Sequence, residues 1–266
     1  MRLSPQTVMR LVVAMVVFGT ITAAVAVQPD WFGENASVQR DAIDYLFNVM
    51  IVLSSYVFAV VAVLALYAVW KYRAKPGDES DGEPIHGNSR LEFAWTAIPT
   101  VIVLFAAGYS LTVLNDIEAK PSGPGQKMEI TAQQFAWRFD YVEAGKTSTE
   151  LHVPVGTTLD IEAHALDVLH SFWVPEWGIK RDLVPQGPGS DEVDDTFVVT
   201  PDEIGTYSVV CTEYCGVAHG SMRAVAVVET QQEFDAWLAE QKDIPGGEND
   251  VSTGLAGGSG AGTLAE

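Results

Sequence analysis

The chain has 266 residues, 48% of them hydrophobic, with 35 acidic against 15 basic side chains and a formal net charge of −20. That length suits one membrane anchor and one soluble domain. The acid excess argues against nucleic acid as a partner, since phosphates demand basic patches; it fits either a salt-rich medium or a field that steers a basic redox partner.

Arg2 and Arg10 precede an apolar run over residues 11–27, which ends in an A-x-A-like pair at Ala24 and Ala26. This reads as a signal peptide over residues 1–27, with an extra membrane helix as the alternative. Residues 46–70 carry no charge, are long enough to span a bilayer, and are closed by the belt Lys71, Tyr72, Arg73. Residues 93–114 form a second uncharged run of spanning length, in which Pro99 predicts a bend. The loop between the runs carries Lys71, Arg73, Lys75 and Arg90. By the positive-inside tendency it is cytoplasmic, so a helical hairpin over residues 28–118 delivers the rest of the chain outside. Glu92, at the start of the second span, complements a helix N-terminus.

Residues 119–126, AKPSGPGQ, read as a linker. Beyond it the pattern turns to β. In EITAQQFAWRFDY, residues 129–141, Phe135, Trp137, Phe139 and Tyr141 alternate onto one face and are expected as core. Residues 151–155, 158–163 and 224–229 read as further short strands, and residues 196–211 as strand, PDEIG turn and strand. Thr230 and Glu233 make a capping box before the apolar stripe Phe234, Trp237 and Leu238, which predicts an amphipathic helix within residues 230–243. Residues 244–266 are Gly-rich and acidic, a composition that predicts disorder. There is no C-x-x-C-H, hence no fused haem c domain.

The chemistry concentrates in CTEYCGVAHGSM, residues 211–222. Thiolate and thioether are soft ligands that select copper in its lower oxidation state, and imidazole suits either state. Two readings compete. Cys211 and Cys215 are the only cysteines and could form a disulfide. A Cys–Cys–His set could also hold structural zinc, although zinc has little use for Met and usually takes C-x-x-C. A disulfide leaves His219 and Met222 unexplained. Two thiolates on neighbouring turns of one loop can instead bridge two metals, which points to a dinuclear copper centre for one-electron transfer. A distant imidazole is available at His170, within DVLHSFWVP, residues 167–175. Short strands with metal ligands on their end loops suggest a Greek-key β-barrel of the cupredoxin type over residues 127–229. The fold class expected is therefore an α + β membrane protein, a transmembrane helical hairpin followed by an extracytoplasmic cupredoxin-type barrel. His86, His152 and His164 fall in neither motif and are expected at the surface or just behind a ligand.

The motifs DVLHSFWVP and CTEYCGVAHGSM closely resemble those of subunit II of the haem–copper cytochrome c oxidases, and the resemblance runs from about residue 45 to residue 229. It implies that His170, Cys211, Cys215, His219 and Met222 are side-chain ligands of two copper ions, the copper A pair. Glu213 would add its backbone carbonyl and reach with its carboxylate toward a magnesium ion shared with subunit I. LEFAWTAIP, residues 91–99, matches through Glu92, Trp95, Thr96 and Pro99, and implies that Glu92 lies at the mouth of a proton path. The resemblance places electron entry at the first aromatic after Gln134. Cytochrome c–using members generally carry Trp there; this chain has Phe135, with Trp137 two residues on. The donor it implies is a soluble cytochrome c or a small blue-copper protein. Electrons would leave through His219 to haem in subunit I, where oxygen is reduced to water with proton pumping, in a membrane complex that also holds subunit III. A nitric-oxide-reducing relative and a membrane-tethered copper carrier are the alternatives.

Overall fold

A computed structural model describes residues 3–74, 76–77, 84, 87–119, 125–185 and 196–245. The chain divides into two compact units, Met1–Glu34 with Asp41–Ala119, and Asn35–Arg40 with Lys120–Glu266.

The first unit is built on α1 (Pro5–Ala26), α2 (Val38–Tyr72, whose opening residues count with the second unit) and α3 (Ser89–Glu118). All three are long and apolar enough to cross a membrane. The ends are set by local chemistry. Ser4 caps α1, its side chain accepting from the Thr7 N–H, and Pro5 fills the first helical position. Asn88 caps α3 by accepting from the N–H groups of Arg90 and Leu91, while Glu92 Oε1 accepts from the Asn88 N–H at 3.0 Å. α2 and α3 both outrun the uncharged stretches 46–70 and 93–114. Charged residues such as Asp41, Lys71 and Arg90 tolerate helix at the ends of a span, so helix length exceeds apolar length.

The second unit contains β1 (Gln126–Gln133), β2 (Ala136–Tyr141), β3 (Lys146–Ser148), β4 (Leu151–Pro154), β5 (Leu159–Ala165), β6 (His170–Val174), β7 (Ile179–Leu183), β8 (Thr196–Val199), β9 (Gly205–Cys211), β10 (Arg223–Glu229), α4 (Gln231–Ala239) and β11 (Lys242–Asp243). One sheet runs β11-β3-β2-β1-β5-β8 and the other β4-β10-β9-β6-β7. The strands alternate as a half-buried sheet should: Met128, Ile130 and Ala132 of β1 face in, with Phe139, Ile161, Phe172, Leu183, Val209 and Val228 from other strands filling the same core. This is the cupredoxin-type arrangement, and it follows the helical membrane region along the chain.

Three local outcomes differ from the pattern reading. EITAQQFAWRFDY is a hairpin and not one strand, because β1 and β2 pair with Gln133 opposite Ala136 and the chain reverses at Gln134 and Phe135. Trp137, Phe139 and Tyr141 are buried, whereas Phe135 sits in the turn. Likewise β8 and β9 are not partners. β8 pairs with β5, and β9 with β10 and β6, so PDEIG carries the chain from one sheet to the other. Alternation is the same whether a turn folds back or crosses over, so periodicity could not separate the two. His152 is not a surface residue. Its ring stacks on Trp237 of α4 at 3.9 Å between centroids, and Nδ1 lies 2.9 Å from Glu229 Oε1. His164 is half-buried, 3.4 Å from Glu129. The capping box of Thr230 and Glu233 does start α4, with Phe234 buried beneath it. His86, most of the linker, and the tail from residue 246 lie outside the described residues.

A short piece from far upstream completes this unit. The Ala36 N–H donates to the Glu176 carbonyl at 3.0 Å, Ser37 Oγ to the Trp177 carbonyl at 2.7 Å, and the Val38 N–H to the Thr200 carbonyl at 3.0 Å. Gln39 Oε1 accepts from the Thr200 N–H at 3.0 Å, and the guanidinium of Arg40, 2% exposed, donates to the Pro175 carbonyl at 2.5 Å.

Candidate metal centre

The loop 212–222 is pinned where β9 meets β10: the Cys211 N–H donates to the Met222 carbonyl at 3.2 Å. A 3-10 turn at His219–Ser221 then folds the loop so that His219 Nδ1 comes within 3.6 Å of Cys215 Sγ. The two sulfurs of Cys211 and Cys215 lie 3.8 Å apart. That is too far for a disulfide bond of about 2.05 Å, and both thiols are free. Met222 Sδ stands 3.7 Å from Cys215 Sγ, and the Glu213 backbone carbonyl 3.3 Å from Cys211 Sγ. On the far side β6 pairs with β9 through Phe172 opposite Cys211, which sets His170 at the strand's start with Nδ1 3.8 Å from Cys211 Sγ. The donor atoms of His170, Cys211 and Cys215 all fall within 4.8 Å of one another. Thus two sulfurs form the middle, an imidazole nitrogen flanks each, and a thioether and a carbonyl complete the set.

The setting is dry. His170 and Met222 are 0% exposed, Cys215 3% and Cys211 4%. Burial, and then the adjacent Cys211 thiol, push the Cys215 thiol up from 9.0 to about 11, so an incoming metal must displace its proton. Behind His170, Asp167 Oδ1 lies 2.9 Å from Nε2. Asp167 Oδ2 accepts from the Gln134 N–H at 2.7 Å, and Oδ1 also from the Val168 N–H at 2.7 Å. Burial would raise the Asp167 carboxyl, but these donors outweigh it and hold it below the usual carboxylate range. An ionised Asp167 keeps the His170 proton on Nε2 and leaves the Nδ1 lone pair toward the sulfurs.

Gln134 also donates from Nε2 to the Cys215 carbonyl at 2.6 Å, tying the β1–β2 turn to the loop. Gly216 is demanded by this contact. Its φ is +131°, and a Cβ there would come within 2.9 Å of Gln134 Nε2 and 3.2 Å of Phe135 Cζ. Phe135 therefore lies over Gly216, the residue next to Cys215. Trp137 is core, with its ring 6.4 Å from that of His170 and 5.9 Å from that of Phe172. Tyr214, 73% exposed, sets its ring 5.7 Å from His219, and its N–H donates to the Glu213 carboxylate at 3.3 Å. Glu92 belongs to the first unit, where it is a capping group of α3. Sequence reasoning did not single out Asp167, Gln134, Gly216 or Tyr214 individually. For Asp167 a signal existed, an acid three residues before a distant imidazole.

The donor chemistry fits copper: two thiols and a thioether are soft ligands, two imidazoles suit either oxidation state, and zinc would leave Met222 without a task. Comparison with known proteins agrees. The family model for cytochrome c oxidase subunit II, transmembrane domain, matches residues 9–113, and that for the periplasmic domain matches residues 137–230. Cytochrome c oxidase subunit 2 of Thermostichus vulcanus is 31% identical over 85% of this chain and 85% of its own. That of Synechocystis is 31% identical, over 81% of this chain and 79% of its own. Among solved structures, the periplasmic domain of subunit II of cytochrome oxidase from Bradyrhizobium japonicum covers 45% of this chain and 95% of its own, at 23% identity and a TM-score of 0.39. Similarity that extends through the membrane helices as well as the barrel shows that this protein belongs to the cytochrome c oxidase subunit II family.

Proposed function

We propose that this subunit accepts single electrons from a soluble extracytoplasmic carrier and passes them to haem in subunit I of a terminal oxidase, where oxygen is reduced to water and protons are pumped. The observation that carries this reading is the pair of unbonded thiols 3.8 Å apart with an imidazole at each flank. His170, Cys211, Cys215, His219, Met222 and the Glu213 carbonyl would hold two copper ions, which when bound supply one-electron chemistry shared between two metals. The chain's own contribution is to keep that set rigid and dry. β6 and β9 fix His170 against Cys211, Asp167 holds the His170 proton at Nε2, and the Cys211–Met222 backbone bond clamps the loop. Burial of His170, Cys211, Cys215 and Met222 limits the solvent that must reorient when charge changes. The same burial speaks against a copper carrier, which must release its ion readily.

Phe135, lying over Gly216, is the approach we assign to the donor, with Trp137 as the wall behind His170. With Phe at that position the carrier is a cytochrome c or a small blue-copper protein. The Glu213 carboxylate, beside exposed Tyr214, is the group offered to a magnesium ion shared with subunit I, and His219 is the exit toward haem. Glu92 is assigned to the entrance of a proton path, and subunit III is a further partner. The test is a low-temperature paramagnetic spectrum of the detergent-solubilised chain loaded with copper. Seven hyperfine lines, from one electron over two nuclei, are expected, and Cys215→Ser should abolish them. Four lines from the unaltered chain would overturn the reading.

A further inference from the structure

Within the first unit α1 is packed against α2. Gly19 and Ala23 of α1 are buried. A Cβ at Gly19 would fall 2.6 Å from Tyr56 Cδ1, so only glycine lets the ring lie flat on the helix. Thr20 Oγ1 is 3.0 Å from the Tyr56 hydroxyl and also donates to the Val16 carbonyl at 2.8 Å. The Tyr56 O–H is therefore the donor in that pair, and Thr20 the acceptor. Phe18 and Phe58 add a ring contact at 5.9 Å. Tyr56 stands at the middle of the 35-residue α2. A hydroxyl at that depth has no water to turn to, and one stranded in hydrocarbon is costly.

We propose that α1 is a permanent third membrane span, kept in the mature subunit because it satisfies Tyr56, and not a leader removed after Ala26. Three further observations support this. The apolar run over residues 11–27 meets the lower bound of about 17 residues for a membrane span and exceeds the roughly 7–15 usual for a leader's apolar region. The Trp31 Nε1–H donates to the Ala26 carbonyl at 3.0 Å, closing the helix end across the bond a leader peptidase would need to cut. The family's transmembrane match begins at residue 9, inside α1.

The second unit supplies the direction. Residues Asn35–Arg40 belong to the unit that carries the metal centre, so the connection between α1 and α2 lies on the extracytoplasmic side. α1 then crosses from inside to outside with Arg10 near its cytoplasmic end, as the positive-inside tendency requires. The subunit then has three spans.

The experiment fuses a short epitope ahead of Met1, purifies the oxidase complex from membranes, and measures the intact mass of this subunit. In parallel, right-side-out vesicles are treated with protease. The expected result is a mass that includes the epitope and residues 5–26, with the epitope protected from external protease. A mass that starts beyond Ala26 overturns the proposal, and so does an epitope digested from outside. For the seam itself, Gly19→Leu should lower the thermal midpoint of the solubilised subunit by several degrees. An unchanged midpoint would show that Tyr56 does not depend on α1.

Discussion

Asp167 and His170 are joined at 2.9 Å, Oδ1 to Nε2, and the same carboxylate is anchored by backbone N–H groups of Gln134 and Val168. An imidazole braced in this way has its tautomer and its aim decided by the fold alone. Asp167→Ala should therefore weaken copper retention by about 10–100-fold while the barrel stays folded. Competition with a calibrated chelator measures this. An unchanged affinity would mean that β6 pairing alone aims the ring.

Gly216 and Gly145 make a matched pair for testing the loop. Both have positive φ, +131° and +63°, but only Gly216 faces Gln134 and Phe135, whereas nothing lies within 4 Å of a Cβ at Gly145. Gly145→Ala should cost about 1 kcal/mol from backbone strain alone. Gly216→Ala should cost roughly 2–4 kcal/mol, because it also displaces the Gln134 bond to the Cys215 carbonyl. Urea unfolding of the two variants reads the difference, and equal losses would remove Gln134 from the account of the site.

The bonds from Ser37 and Arg40 to the carbonyls of Trp177 and Pro175 make residues 35–40 part of the metal domain. Arg40→Met should remove the charged one of two donors to the Pro175 carbonyl, which keeps the Gly178 N–H, and lower stability by about 1–3 kcal/mol. A fragment that starts near Lys127 should unfold at lower denaturant than one with residues 35–40 attached by a flexible linker. Coincident unfolding curves for the two fragments would show that this segment is ornamental.

Alkaline pH probes the thiols. Below pH 9 the Cys215 thiol is protonated in both folded and unfolded chains, and its contribution to stability is whole. Between 9 and about 11 the unfolded chain ionises first, so the metal-free protein should lose stability with rising pH. Chemical denaturation at a series of pH values from 8 to beyond 11 should show the decline, and Cys215→Ser should flatten it. A decline of equal size in the serine variant would assign it to other groups.

Much of the site was readable because its donors sit in one loop. Cys211, Cys215, His219 and Met222 are adjacent by chain spacing, and no folding is needed to see them as a set. His170 was readable from its own motif, in a stretch of strand formers. What pattern reading missed depends on partners distant along the chain. The reversal at Gln134 and Phe135 is masked because aromatic alternation continues through it. The bonds made by Ser37 and Arg40 go to backbone carbonyls, which carry no residue signature. The packing of His152, expected at the surface or just behind a ligand, leaves no local signal because neither Trp237 nor Glu229 is near it in sequence.

The complete burial of His170 and Met222 has a consequence in time as well as in energy. An ion seated among these ligands cannot meet a competing molecule until the segment anchored by Cys211 and Met222 swings clear. Its dwell time would then follow how often that door opens, and two variants of equal affinity could surrender their metal at very different speeds.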